Sequence, residues 1–148
     1  MSLVYFDSSA LVKLVVDEAG TALAAELWDG CDGALASRLA YPEVRAALAA
    51  LARNHDLDAD QLAAASDAWE THWAAVRKVE LTSAVERRAG DLASQCGLRG
   101  ADAVHLASAL AIGDPDLVVA VWDRRLHMGA HAVGTLVAPA DLDAKSAG

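Results

Sequence analysis

Four acidic residues lie at the ends of predicted strands or the beginnings of predicted helices, where folding can bring their side chains to one edge of a sheet: Asp7, Glu43, Asp102 and Asp123. Asp7 and Asp123 each end a short apolar run, whereas Glu43 and Asp102 fall at the beginning of predicted helices. Several carboxylates in one crevice repel one another at neutral pH unless cations neutralise them. Hard oxygen ligands select Mg²⁺ or Mn²⁺, so the joint pattern predicts a divalent-metal site.

Each of these acids also has a simpler explanation when it is taken alone. Aspartate at a junction between a strand and a helix is a good N-cap, and glutamate in a first helical turn complements the helix dipole. The caps explain single residues but do not explain four acids at corresponding places along one chain. The metal site therefore depends on whether the fold brings them together.

Short apolar runs alternate with helical patterns along the whole chain. The predicted strands are residues 3–6, 34–37, 79–81, 117–122 and 132–137. Alternation of this kind predicts a parallel sheet covered by helices on both faces, joined by right-handed crossovers. We therefore expect a three-layer α/β/α sandwich with a central parallel sheet, as a single domain over residues 1–148.

Helix signals separate these strands. Helical patterns follow Asp7 through Val15, run from Thr21 to Trp28, place Pro42 in a first turn, start at Asp58, Thr82 and Asp102, and follow Asp123 as far as Gly129. In open parallel sheets the functional crevice lies beyond the carboxyl ends of the strands. If the first and fourth strands are neighbours, all four acids face one crevice.

Composition excludes several classes of protein. The chain has 148 residues with 55% hydrophobic and 22% charged residues, which is typical of a globular protein and not of a disordered one. Its net charge of −9 argues against a non-specific nucleic-acid binder, which should be basic. A function on polyanions would need local basic patches, bound cations or a basic partner.

Two cysteines are too few for a disulfide framework. Cys31 and Cys96 also lack the spacing of a zinc site, so we expect small buried apolar side chains in a reducing compartment. Charged residues interrupt the apolar N-terminal segment before a signal-peptide core or a membrane span forms. The sequence thus favours a cytoplasmic protein.

Four stretches together resemble the motifs of one family. They are VYFDSSALVK (residues 4–13), SRLAYPEV (37–44), ADAVHLA (101–107) and DRRL (123–126). Their order and spacing are similar to those of PIN-domain ribonucleases, in particular the VapC-type toxins of bacterial and archaeal toxin–antitoxin pairs. The resemblance implies a PIN-like fold and Mg²⁺- or Mn²⁺-dependent cleavage of RNA.

By that resemblance the four acids are the metal-binding positions, and Ser9 is the small hydroxyl residue beside the first of them. A metal-held water would attack the phosphodiester in line. Nearby arginines are candidate contacts to the RNA backbone: Arg38, Arg45, Arg99, Arg124 and Arg125. The family also implies a homodimer and a basic cognate antitoxin that occludes the active site.

Two other functions remain open at this point. Members of the family often carry Thr or Ser two residues before the last Asp, where this chain has Val121, so a hydrogen bond around Asp123 is expected to be missing. That departure favours a non-catalytic PIN-like binding module. A phosphoacceptor receiver domain fits poorly, because Asp7 has no acidic neighbour, the third strand ends in Leu81 and Thr82, and the late chain lacks a suitable lysine.

Several conspicuous side chains are interpreted as structural. His105 lies one turn after Asp102 in an apolar helix and is expected to be a packed histidine, although its position also suits a ligand. His127 and His131 are expected at the surface, with Gly129 between them ending the helix. Trp69 and Trp73 are four residues apart, which favours core packing but leaves an exposed interaction patch open.

Overall fold

A five-stranded sheet runs through residues 1–143, the part of the chain that this computed structural model describes. The strands are β1 (Leu3–Phe6), β2 (Gly33–Ser37), β3 (Arg77–Val79), β4 (Val118–Ala120) and β5 (Leu136–Ala138). All neighbouring strands are parallel, in the order β3-β2-β1-β4-β5. The predicted parallel sheet is confirmed, and residues 144–148 of the predicted domain lie outside the described part.

Helices cover both faces of this sheet. They are α1 (Ser8–Val12), α2 (Thr21–Gly30), α3 (Ala40–Arg53), α4 (Ala59–Ala75), α5 (Ser83–Cys96), α6 (Gly100–Leu110) and α7 (Arg124–Ala132). Residues Leu3 and Tyr5 of β1 pack in one core with α5, α6 and α7, whereas Val4 and Phe6 pack in a second core with α1, α3 and α4. This two-sided burial follows from the alternation of side chains along a strand, and it confirms the three-layer sandwich.

The central position of β1 decides where the acids meet. β1 pairs with β4 in parallel register, Phe6 opposite Ala120, so the first and fourth strands are neighbours, which is the condition on which the hypothesis of one crevice depended. The chain order changes direction at this pair, since β2 lies on one side of β1 and β4 on the other. Such a switch point opens a crevice beyond the carboxyl ends of the strands.

Several predicted element boundaries are wrong by a few residues. The helix after Asp7 ends at Val12, before Leu14 and Val15, and the helix from Thr21 extends to Gly30. β3 ends at Val79 rather than beginning there, and β4 is only three residues long. Element ends are the least determined part of a sequence pattern, because pairing with neighbouring strands sets them.

Helix α6 begins at Gly100, not at the predicted Asp102. Arg99 is the extended residue before the helix and gives it no side-chain cap, and Asp102 occupies the first turn. Asp102 is therefore not used as an N-cap. Its carboxylate is left for interactions across the crevice.

Helix α7 continues through Gly129 to Ala132, and the last strand begins only at Leu136. Gly129 lies within the helix and against Leu98, where an added Cβ would be 3.2 Å from the nearest side-chain carbon, so the absence of a side chain permits this close packing. The prediction that both histidines of this segment are exposed is wrong for His127, which is buried with Nε2 2.7 Å from the Pro139 carbonyl oxygen. His131 is exposed, as expected.

No helix in residues 1–143 combines the length and the apolar character needed to cross a membrane.

Candidate active site

The four acids come from four separate elements at the carboxyl edge of the sheet. Asp7 follows β1 and caps α1, Glu43 and Asp102 lie in the first turns of α3 and α6, and Asp123 caps α7. Coulombic interaction with Asp123 contributes to raising the pKa of both Asp7 and Asp102. Glu43 has the same effect on Asp102, so the four carboxylates form one electrostatic cluster.

Asp7 is the buried member of this cluster, with 3% of its surface exposed. Its Oδ1 accepts hydrogen bonds from Ser9 Oγ at 2.6 Å and from the Ala10 backbone N–H at 2.9 Å. Burial raises the pKa of Asp7 to about 6, and these hydrogen bonds offset only part of that rise. The carboxylate is thus held in place but lacks an opposite charge in direct contact.

The contacts of Glu43 shift its pKa in the direction opposite to that of Asp7. Its Oε1 is 2.6 Å from Nε2 of His105 and accepts a 2.7 Å hydrogen bond from Ser8 Oγ. Burial alone raises the pKa of Glu43, but the hydrogen bonds from His105 and Ser8 outweigh burial and hold it below its ordinary value. Glu43 is therefore ionised and fixed in orientation at neutral pH.

The other two acids are more open to solvent. Asp102 is half-buried, and desolvation followed by repulsion from Asp123 raises its pKa, while Arg99 acts in the opposite direction. Asp123 is exposed, and its Oδ1 accepts a hydrogen bond from the Leu126 backbone N–H at 2.9 Å. This cap holds Asp123 without a side-chain partner from the preceding strand.

The Val121 departure affects packing and not the hydrogen bonding of the crevice. Val121 is fully buried in the core under α6 and α7. Support between the two strand ends comes instead from Ser9, whose Oγ accepts the Trp122 backbone N–H at 3.0 Å while it donates to Asp7. Ser9 therefore ties the β1 end to the β4 end, which gives the predicted hydroxyl residue a concrete position.

The chemistry of the donors suits a hard divalent cation. All the acids offer carboxylate oxygens, and their repulsion is the feature that a bound cation relieves. Within residues 1–143, however, no three His, Cys, Asp or Glu side chains already converge closely enough to hold a metal ion. Asp102 is half-buried and Asp123 is exposed, so the carboxylates of these two residues are accessible to a cation from solvent.

The five predicted arginines are all exposed but differ in their partners. Arg38 Nε contacts both carboxylate oxygens of Glu80, and Arg124 pairs with Asp143 at 2.6 Å. Arg45 is 3.7 Å from Glu70. Among the described residues, Arg99 and Arg125 make no ion pair, so they are the two arginines whose charge is not already matched by a direct contact.

The remaining predictions have mixed outcomes. Trp69 is fully buried, whereas Trp73 is half-buried, packs on Tyr41 and has Lys78 Nζ 5.1 Å from its ring centroid. Cys31 and Cys96 are free thiols, but each is half-buried rather than buried.

Sequence reasoning missed three residues around Glu43. His105 is buried as expected, yet it contacts Glu43 directly, and Tyr5 and Ser8 complete its surroundings. The available signal was position: Ser8 stands beside Asp7, and His105 lies one helical turn after Asp102. Only the tertiary structure brings these residues to Glu43, because α3 and α6 belong to cores on opposite faces of the sheet and approach each other through Glu43 and His105.

Comparison with known proteins identifies the family. The sequence profile of the PIN domain matches residues 4–127. The chain belongs to the PIN domain family. It is 71% identical over 143 residues to Ribonuclease VapC45 of Mycobacterium tuberculosis (strain CDC 1551 / Oshkosh), covering 97% of this chain and 99% of that relative. The family resemblance stated from the four sequence stretches is thereby confirmed.

Solved structures show the same fold at low sequence identity. PAE2754 from Pyrobaculum aerophilum has a TM-score of 0.69 at 23% identity, with 92% of this chain and 83% of that chain covered. A toxin–antitoxin complex from Klebsiella pneumoniae has a TM-score of 0.59 at 17% identity, with 83% and 87% covered. The sandwich is thus the PIN-type fold, and the acid cluster occupies its crevice.

Proposed function

We propose that this protein is a Mg²⁺- or Mn²⁺-dependent endoribonuclease and the toxin of a toxin–antitoxin pair. The single observation that carries the proposal is the cluster of four acids from four elements, found in a chain 71% identical to a protein named as a ribonuclease. The raised pKa of Asp7 supports it, because a buried carboxylate with no cation in contact is stabilised by a divalent ion.

In this mechanism the carboxylates of Asp7, Glu43, Asp102 and Asp123 hold the cation at the crevice. A bound divalent ion supplies positive charge for the phosphate and lowers the pKa of an attacking water. Ser9 fixes Asp7 against the β4 end, and Ser8 and His105 fix Glu43. The protein therefore contributes orientation and local negative charge, while its surface arginines contact the RNA backbone.

The net charge of −9 is compatible with an RNA substrate under this proposal. The cation and the unpaired Arg99 and Arg125 supply local positive potential where the phosphate binds. The acidic surface also suits a basic protein partner, and the Klebsiella pneumoniae structure of this fold is a toxin–antitoxin complex. We therefore include a basic antitoxin that covers the crevice, a homodimer, and a cytoplasmic location, in which the two free thiols stay reduced.

Cleavage of a mixed RNA pool by the purified, antitoxin-free protein tests the activity. Reactions contain Mn²⁺, Mn²⁺ with excess EDTA, or Mn²⁺ with the Asp102→Asn variant. Asp91→Asn, an exposed acid of α5 outside the cluster, is the matched control. We expect discrete products that EDTA and Asp102→Asn abolish and that Asp91→Asn leaves unchanged.

The open arrangement of the acids in the described residues favours one alternative, a PIN-like binding module without catalysis. If neither wild type nor Asp102→Asn cleaves any RNA with any metal, and both proteins remain folded, the result would support the binding module. Cleavage that survives EDTA would instead exclude the metal mechanism.

A further inference from the structure

A buried histidine connects the centre of the sheet to the acid cluster. His105 has 2% of its surface exposed and lies on α6 between Tyr5 of β1 and Glu43 of α3. Its Nδ1 is 2.8 Å from the Tyr5 hydroxyl, and its Nε2 is 2.6 Å from Glu43 Oε1. Both ring nitrogens therefore have a defined partner, and the identity of those partners decides which nitrogen carries the proton.

The tyrosine hydroxyl sets the direction of the hydrogen bonds that connect Tyr5, His105 and Glu43. The Ser37 backbone N–H donates to the Tyr5 hydroxyl oxygen at 3.1 Å, so the tyrosine's own proton is available for Nδ1. An ionised Glu43 can only accept, so the contact at Nε2 requires a proton on that nitrogen, and an Nδ1 that accepts from Tyr5 is the arrangement consistent with a neutral ring.

Two donors consequently converge on one oxygen of Glu43. Nε2 of His105 and Oγ of Ser8 both contact Oε1, and Ser8 Oγ is also 3.3 Å from Nε2. Within residues 1–143 no hydrogen bond is formed to Oε2. A carboxylate held in this way offers a cation its second oxygen without rotating.

We propose that His105 is a positioning residue for the metal site: Tyr5 holds it as the Nε2–H tautomer, and it fixes Glu43 through Oε1 so that Oε2 would be available to a cation. This inference rests on the proposed function, since the cation is the group that Glu43 is positioned for. Hydrogen-bonding partners behind a metal ligand change metal affinity by roughly 10–100-fold when they are removed.

Two substitutions separate positioning from packing. His105→Gln places an amide nitrogen near the position of Nε2 and keeps a donor for Glu43, whereas His105→Asn places its amide near Nδ1 and reaches only Tyr5. Mn²⁺ affinity is measured without RNA, by titration followed with electron paramagnetic resonance. We expect binding roughly 10–100-fold weaker in His105→Asn and close to wild type in His105→Gln.

The matched control is His127→Asn, which removes a second buried histidine whose partner is the Pro139 carbonyl and not an acid. We expect unchanged Mn²⁺ affinity in this variant. Thermal melting of each metal-free variant shows whether it is folded. Equal Mn²⁺ affinity in folded His105→Asn and wild type would overturn the positioning role while leaving the nuclease proposal intact.

Nuclear magnetic resonance of the metal-free wild type tests the tautomer independently of metal and RNA. Long-range ¹H–¹⁵N correlations of His105 should show a protonated Nε2 and an unprotonated Nδ1. A proton on Nδ1 would overturn the inference. A wild type that neither binds Mn²⁺ nor cleaves RNA would overturn the proposed function, and the positioning role with it.

Discussion

Asp7 and Glu43 belong to one crevice but are held in opposite ways. Asp7 is buried at the end of β1 and has hydrogen-bond donors but makes no direct ion pair in the described residues, and burial raises its pKa to about 6 although His105 acts in the opposite direction. Glu43 is half-buried at the start of α3, and hydrogen bonds from His105 and Ser8 hold its pKa below the ordinary value despite burial. The charge of Asp7 therefore costs stability in the metal-free protein, whereas the charge of Glu43 contributes stability.

The largest expected effect is shared by the two acids. Asp7→Asn and Glu43→Gln should each reduce Mn²⁺-dependent RNA cleavage by more than about 100-fold, because changes behind a ligand already cost roughly 10–100-fold. Initial cleavage rates at saturating Mn²⁺ measure this. A variant of either acid that retains wild-type rates would separate that residue from the metal site.

Stability should then distinguish Asp7 from Glu43. The folded pKa of Asp7, about 6, lies above its unfolded value of 3.8, so the folded state binds the proton more tightly. Its contribution is fully present below pH 4 and is lost as pH rises through 6. At neutral pH the cost is about 3 kcal/mol, which Asp7→Asn should recover in the absence of metal.

Denaturant unfolding of wild type and Asp7→Asn between pH 4 and 8, in EDTA, measures this difference. The two proteins should have similar free energies of unfolding near pH 4. The variant should become progressively more stable up to about pH 6, with a constant difference above it. A constant difference at every pH would contradict the assigned role of burial.

Glu43→Gln should have the opposite sign and a smaller size. Glutamine keeps an acceptor for Ser8 and His105 but loses the charge, and hydrogen bonds to charged groups contribute roughly 1.5–3 kcal/mol. We expect the metal-free variant to lose about 1 kcal/mol in unfolding free energy at pH 7, since part of the interaction survives. A gain in unfolding free energy would show that the charge of Glu43, like that of Asp7, destabilises the metal-free protein.

The smallest expected effect concerns the arginines, where paired and unpaired groups again differ. Arg125→Ala, made in the inactive Asp102→Asn protein, should weaken RNA binding and reduce the salt slope by about 0.7 for one lost phosphate contact. Arg38→Ala should change the slope less, because Arg38 is already paired with Glu80. Fluorescence anisotropy at several salt concentrations measures both, and a slope for Arg125→Ala equal to that of the parent Asp102→Asn protein would remove Arg125 from the interface.

Much of the molecule was predictable because local patterns and tertiary packing agree. The alternation of apolar runs and helical patterns predicted the parallel sandwich, and placing β1 beside β4 brought Asp7 and Asp123 to one edge. The errors lie where tertiary contacts override a local signal. Gly129 lies within α7 with Leu98 packed against it, and Asp102 falls inside α6 rather than capping it.

The sequence by itself determined the fold class and the family and predicted the four acids as a site, because strand and helix periods and motif spacing are carried by neighbouring residues along the chain. Only the tertiary structure decided how each acid is held. Tyr5 and His105 are 100 positions apart, and His105 and Glu43 are 62 apart, so no local pattern links them. Their contact arises when α3 and α6 meet at the sheet edge, since burial and hydrogen-bond partners are properties of packing and not of composition.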